Sequence, residues 1–126
     1  MVHFGERRKH PRYPIELGVM LRMDQRRRSK AVLMDLSRGG MFLRTREPVD
    51  LARPVEVSFE ARPSYACRAT GRVVRVMNTK MLHGFGVSFD ETNDNFERFL
   101  AILERLRPDA RAEFLKQVLE RVVDIK

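Results

Sequence analysis

The spacing of apolar residues changes once along this chain, near Asp90, and this change constrains the fold more than any other feature. Before it, apolar and polar residues alternate over short runs such as 15–23 and 55–59, which is the pattern of half-buried β-strands. After it, apolar residues recur at spacings of three and four, which is the pattern of amphipathic helices. The sequence therefore predicts a β unit followed by helices.

Six strands are predicted before Asp90, with turn residues and no helical pattern between them. Their ranges are 15–23, 30–35, 41–43, 55–59, 65–77 and 82–89. Within the fifth strand, Gly71 marks an expected bend or bulge. Short strands joined by turns favour an antiparallel barrel or a sandwich over a βαβ fold.

Two helices are predicted at the C-terminal end. Thr92 and Asn93 suit the N-cap of the first, and Pro108 either ends it or opens the second. The second helix can pack on the first, or it can pair with another subunit or a partner, so a homodimer is one open outcome. Because 126 residues fit one domain, we expect a single domain with an arm over 1–14, the β unit over 15–90 and helices over 91–126.

Positive charge is concentrated at the N-terminal end of the chain. Residues 1–30 hold nine Lys or Arg against three acidic residues, within a formal net charge of +8 for the whole chain. Such a patch attracts a phosphodiester ligand, a nucleic acid or an anionic membrane alike. Charge alone therefore leaves these ligand classes open.

Several classes of protein are disfavoured by what the sequence lacks. No apolar run is long enough for a transmembrane helix and none near Met1 looks like a signal peptide, so we expect a cytoplasmic protein without membrane insertion. Cys67 is the single cysteine and has no metal-ligand spacing to a histidine, which argues against disulfides and a zinc site. Because the acidic residues are scattered singly, we expect a binding protein rather than an enzyme.

Two short motifs point to a ligand. The first is Arg8-x3-Arg12 with Arg7 directly before it, but this spacing of two arginines occurs four times in the chain and carries little weight alone. The second, Asp35-x-Ser37-x-x-Gly40, has a chance expectation of about 0.015 in a chain of this composition. The second motif therefore makes the pair specific.

The residue types in both motifs suit a guanine-containing phosphodiester. An arginine fork binds guanine O6 and N7, or two phosphate oxygens, which fits Arg8 and Arg12. The carboxylate of Asp35 and the hydroxyl of Ser37 match the donor-bearing edge of guanine, and residues two apart share one face of a strand. Next to them, the pair Gly39-Gly40 permits a tight turn and a close backbone approach.

Together the two motifs resemble the signature of PilZ domains, bacterial receptors for cyclic di-GMP. The resemblance runs from about residue 6 to residue 90 and includes 82–89, which is similar to the closing strand of the family. It implies an all-β fold, a six-stranded antiparallel barrel with a C-terminal helical extension. PilZ domains usually carry one helix after the barrel, so the second helix departs from the family pattern.

The resemblance also implies cyclic di-GMP as the ligand, with no cofactor or metal, and a flexible arm that folds over the barrel when the ligand binds. In this interpretation Arg8 reads a guanine edge or stacks on a base, and Arg12 holds phosphate. Asp35 and Ser37 contact a guanine edge, while Gly39-Gly40 shape the turn. Arg7 is a supporting contact, and whether it helps to hold a second stacked ligand molecule stays open.

The predicted function is therefore a cyclic di-GMP receptor whose arm changes conformation and passes the signal to a protein partner, in control of motility or surface behaviour. The partner is expected on the barrel surface or on the C-terminal helices. Two alternatives remain. One is a basic barrel that binds nucleic acid, which its few strand aromatics disfavour as stacking platforms. The other is a ligand-independent adaptor that acts through the helices.

Overall fold

The structure is a computed structural model that describes residues 11–24, 27–46, 48–60 and 66–123. Arg7 and Arg8, and with them most of the predicted arm, lie outside the described residues. No helix within the described part of the chain is both long and apolar enough to span a membrane.

Six strands precede two helices in the described residues, as the sequence predicts. In chain order they are β1 (Tyr13–Asp24), β2 (Arg27–Leu36), β3 (Gly40–Thr45), β4 (Pro54–Glu60), β5 (Ala66–Asn78), β6 (His83–Thr92), α1 (Asp94–Arg105) and α2 (Pro108–Val123). The first strand thus begins two residues before the expected start of the β unit at 15, and the last strand ends two residues after its expected end at 90.

The strands form a closed barrel in the order β1-β2-β3-β6-β5-β4. All neighbouring pairs are antiparallel, and β4 pairs back onto β1 to close the sheet. Closure pairs the two strands that would otherwise form the sheet edges, β1 and β4, over 20–22 and 56–58. The predicted six-stranded antiparallel barrel with two C-terminal helices is confirmed, and the sandwich is excluded.

The barrel interior is filled by the apolar half of each alternating strand. On β1 the residues Leu17, Val19 and Leu21 are buried, and on β4 the inward positions include Val57 and Phe59. One outward-facing residue separates each of these positions from the next along its strand, because successive side chains of a strand point to opposite faces. Burial of these side chains stabilises the fold by about 1.5 to 3 kcal/mol apiece.

Helix α1 covers the barrel end where β4 finishes and β5 begins. The side-chain oxygen of Asn93 accepts a hydrogen bond from the amide of Phe96 at 2.9 Å, so Asn93, one of the two expected residues, is the N-cap. The rings of Phe96 and Phe99 meet that of Phe59 edge to face, at centroid distances of 6.0 and 5.1 Å. These contacts fix α1 on the barrel.

Helix α2 packs back on α1 and on the start of β1. The Phe99 and Phe114 rings lie 5.6 Å apart, and Arg111 donates a hydrogen bond to the carbonyl of Leu103 at 2.8 Å. The guanidinium of Arg111 also sits 4.6 Å from the centre of the Tyr13 ring. Of the arrangements the sequence left open for the second helix, the structure shows packing on the first.

Candidate functional site

A β-bulge in β2 directs Asp35 toward the outside of the barrel. Leu33 and Leu36 are both fully buried although strict alternation would place them on opposite faces. Between Leu33 and Asp35 the register shifts, because two steps along β2 oppose one step along β3. The bulge reverses the alternation, so that the Asp35 side chain is 28% exposed instead of pointing into the core.

Arg12 faces Asp35 from the residue before β1. The register pairs Pro14 with Asp35 and Tyr13 with Leu36, which brings the start of β1 beside the end of β2. The Arg12 Nη1 atom lies 3.8 Å from Asp35 Oδ2, and the Arg12 side chain is 31% exposed. Arg12 of the first motif and Asp35 of the second therefore lie side by side, and both side chains remain partly exposed.

Ser37 closes the turn between β2 and β3. Strand β2 ends at Leu36, so Ser37 lies beyond it and the expected strand face shared with Asp35 does not position it. Its side-chain oxygen accepts hydrogen bonds from the amides of Gly39 and Gly40 at 3.3 and 3.2 Å, and its own amide donates to the Gly40 carbonyl at 2.8 Å. The 8% exposed Ser37 thus holds the turn.

Gly40 lets β3 approach β6 closely. A Cβ at this position would lie 2.2 Å from the carbonyl oxygen of Val87, which is far inside the contact distance. Next to it, the carbonyl of Gly39 accepts a hydrogen bond from the amide of Phe89 at 3.0 Å. No described glycine has a positive φ, so the expected close approach, and not a left-handed backbone, explains the glycine at position 40.

Arg38 joins the turn to α1, a role the sequence did not reveal. Its guanidinium donates to Glu97 at 3.0 Å through Nη1 and to Glu104 at 3.1 Å through Nε, with a further bond from Nη2 to Glu104. The hydrogen bond that Arg38 donates to Glu104 and the charges of both carboxylates raise the pKa of Arg38 above its usual value, against an opposing effect of burial. The Arg38 guanidinium is therefore engaged with the helix and not presented to a ligand.

One protein family matches most of this chain. The model of the PilZ domain matches residues 6–105, which include both motifs, the barrel and α1. The chain belongs to the PilZ domain family. Helix α2 lies outside the match, which agrees with the departure that the sequence predicts for the second helix. A comparison with curated protein sequences finds no match.

Solved PilZ structures share the fold at low sequence identity. The PilZ domain of YcgR from Escherichia coli with c-di-GMP aligns with a TM-score of 0.63 at 15% identity, over 85% of this chain and 96% of that one. The inhibitor of motility MotI/DgrA from Bacillus subtilis aligns with a TM-score of 0.61 at 13% identity, over 80% of this chain. This PilZ domain spans about half of the MotI chain, 54%.

The structure thus brings together, as a candidate site, Arg12, Asp35 and the turn of 37–40. Arg7 and Arg8 stay predictions, because they precede the described residues. Within the described ranges, no three His, Cys, Asp or Glu side chains come together as a metal ion would require. The arrangement offers a fork of donors, a carboxylate and a rigid turn, which suits binding.

Proposed function

We propose that this PilZ domain is a receptor for cyclic di-GMP. The observation that carries the proposal is the 3.8 Å approach of Arg12 and Asp35, which come from separate motifs and flank one turn. A guanidinium and a carboxylate side by side match a ligand that carries phosphate and a donor-bearing guanine edge. YcgR, whose PilZ domain this chain resembles, was solved with that ligand.

Each site residue takes a separate part in the proposed complex. Arg12 donates to a phosphate, and Asp35 accepts from the N1 and N2 groups of guanine, exchanging its contact with Arg12 for the base. Ser37 keeps the turn in shape and presents its hydroxyl beside the same edge, while Gly39-Gly40 allow the ligand close to the backbone. Arg8 adds a second fork and Arg7 supports it.

Isothermal titration calorimetry with cyclic di-GMP tests this proposal directly, with GTP and cyclic di-AMP as controls. We expect selective binding with a Kd of about 1 μM or tighter, equivalent to at least about 8 kcal/mol. Stoichiometry distinguishes one ligand molecule from a stacked pair. Absent binding, or equal affinity for cyclic di-AMP, would contradict the proposal.

The output proceeds through the two helices. Arg12 precedes Tyr13, whose ring lies under Arg111 of α2, and the turn is tied to α1 by Arg38. A ligand that draws Arg12 and the turn together therefore shifts the balance of contacts that hold both helices. We propose that a protein partner reads this surface, and the similarity to an inhibitor of motility supports motility control as the process.

Substitution of Arg38 by alanine tests whether the signal of ligand binding reaches α1 through Arg38. In this variant we expect cyclic di-GMP affinity to change by no more than about threefold, because the guanidinium bonds to α1 and not to the ligand. Ligand-induced amide shifts across 97–104, measured by 1H–15N NMR, should largely disappear. We expect the free energy of unfolding, measured in urea, to fall by about 1 kcal/mol, since the Arg38 side chain is 38% exposed and water screens its ion pair with Glu97.

Arg107→Ala is the matched control, because Arg107 pairs only loosely with Asp109 at 4.0 Å and is 88% exposed. It should leave stability, affinity and the α1 shifts unchanged. Full α1 shifts in Arg38→Ala would show that the signal does not pass through Arg38, while the receptor proposal would stand.

A further inference from the structure

A second concave site lies at the opposite end of the barrel from Ser37. A cavity of about 660 Å³ opens between the end of β1, the start of β2, the end of β3 and the loop before β4. From Arg28 in this cavity to Asp35 the chain follows β2, which at about 3.3 Å per residue separates the two sites by roughly 23 Å. The cavity is therefore distinct from the proposed cyclic di-GMP site.

Four cationic side chains from three segments of the chain line this cavity, which we name the distal cavity. They are Arg28, Lys30, Arg46 and Arg53. Arg28 and Lys30 are two apart on β2 and share a face, and the pairing of Val32 with Arg44 brings the end of β3, which Arg46 follows, near the same part of β2. The distal cavity thus gathers charges that lie up to 25 positions apart in the sequence.

Among the described residues that line the distal cavity, positive charge exceeds negative charge. These residues include one carboxylate, Asp50, which is 90% exposed and 4.0 Å from Arg53. Among the residues that the structure describes, Arg28, Lys30 and Arg46 have no acidic partner within ion-pair distance. Like charges that converge on one concavity repel each other, and a bound anion relieves that repulsion.

We propose that the distal cavity binds a small molecule with a di- or triphosphate group, of the nucleoside polyphosphate class. Arginine forks bind phosphate oxygens in pairs, and Lys30 adds a point charge. The volume lies within the roughly 300 to 1,000 Å³ of small-ligand pockets. Val49 and Pro48 supply an apolar wall for the rest of the molecule. A nucleic acid is disfavoured, because the cations converge on a cavity and do not follow a line across the surface.

The test is a 1H–15N NMR titration of the full chain with sodium tripolyphosphate, and separately with ATP, at low ionic strength. We expect saturable amide shifts at 28–30, 45–46 and 48–53. The variant Arg28→Gln/Lys30→Gln/Arg46→Gln should bind tripolyphosphate about a hundredfold more weakly, at about fivefold per lost charge. All three residues are exposed, so the barrel core is untouched. Asp50→Asn should strengthen binding about twofold.

The matched control is Arg68→Gln/Arg72→Gln/Arg107→Gln, which removes the same charge from exposed positions outside the distal cavity. It should keep binding within about twofold. Tighter binding of ATP than of tripolyphosphate would assign the site to a nucleotide, and equal binding to the phosphate chain alone.

Three results would overturn the proposal. These are shifts confined to the Arg12 region, equal losses in the two triple variants, and displacement of tripolyphosphate by a short oligonucleotide that binds more tightly at the same residues. The last would assign the surface to nucleic acid. Each of these results is independent of whether cyclic di-GMP binds at Arg12.

Discussion

Replacement of Gly40 by alanine is expected to destabilise the protein by about 3 kcal/mol, since overpacking that the backbone must absorb costs about that much. The new Cβ would lie 2.2 Å from the carbonyl oxygen of Val87 and 3.3 Å from its carbon. Both are backbone atoms of β6, so relief requires separation of β3 from β6 where Gly40 pairs with Ser88. Urea unfolding followed by circular dichroism measures the loss.

Gly86→Ala is the matched control on β6. A Cβ there would meet the Arg75 side chain at 3.7 Å, an ordinary contact with a flexible neighbour, and no backbone atom comes as close. We expect a change within about 1 kcal/mol. Equal losses at both positions would contradict the argument, because they would show that the cost does not come from the approach of β3 to β6; the lower entropy of the unfolded chain with alanine favours folding in both variants. Gly40→Ala should also weaken cyclic di-GMP binding, since the turn of Ser37 is built on Gly40.

Much of the fold follows from periodicity because each strand buries one face. The runs around Leu17 and Val57 alternate cleanly, so strand number and type were predictable, as were both helices from their spacings of three and four. The structure also confirms the irregularity expected at Gly71, where the register of β5 against β6 shifts and a Cβ would meet the Ser88 carbonyl oxygen at 2.2 Å. Alternation alone could not decide between barrel and sandwich, because pairing of β4 with β1 is long-range, and the resemblance to a family supplied the barrel.

The residue types of the candidate site were predictable from the sequence, and its geometry only in part. The motif placed Asp35 near Arg12, but alternation alone does not foresee the bulge at Met34 that turns Asp35 outward. The strand face expected to be shared by Asp35 and Ser37 does not extend to Ser37, because β2 ends at Leu36. Arg38 was missed, since its partner Glu104 lies in a helix whose docking depends on core packing rather than on local pattern. The local sequence 37–40 does not indicate contact with that helix.

The distal cavity could not be read from the sequence for the same reason. In the sequence alone, Arg28 belongs to a run of charged residues and Arg46 to a strand end. Charge runs usually form solvent-exposed faces and not binding sites. Only the register of β2 against β3, with the loop that carries Arg53, gathers them around one concavity. Charge patterns identify a ligand class, and topology decides whether the charges converge.

Arg12→Ala is expected to weaken cyclic di-GMP binding by at least about a hundredfold, which corresponds to about 2.7 kcal/mol. The loss of a charge-assisted fork to phosphate supplies most of this effect. The circular dichroism spectrum should stay unchanged, because the partly exposed pair of Arg12 with Asp35 at 3.8 Å contributes less than about 1 kcal/mol to folding. Calorimetric titration of the variant checks the prediction, and Arg12→Lys should recover little, since an ammonium has no fork.

Arg22→Ala is a closely matched control for Arg12→Ala. Arg22 lies on β1, the strand that Arg12 directly precedes, forms an ion pair with Glu56 at 3.9 Å, and is 36% exposed, close to the 31% of Arg12. The two variants therefore remove the same charge from similar pairs, one beside the turn and one away from it. If Arg22→Ala loses as much affinity as Arg12→Ala, general electrostatic attraction explains binding. If neither does, Arg12 is not part of the site. A loss confined to Arg12→Ala is expected only if the ligand lies between the two motifs.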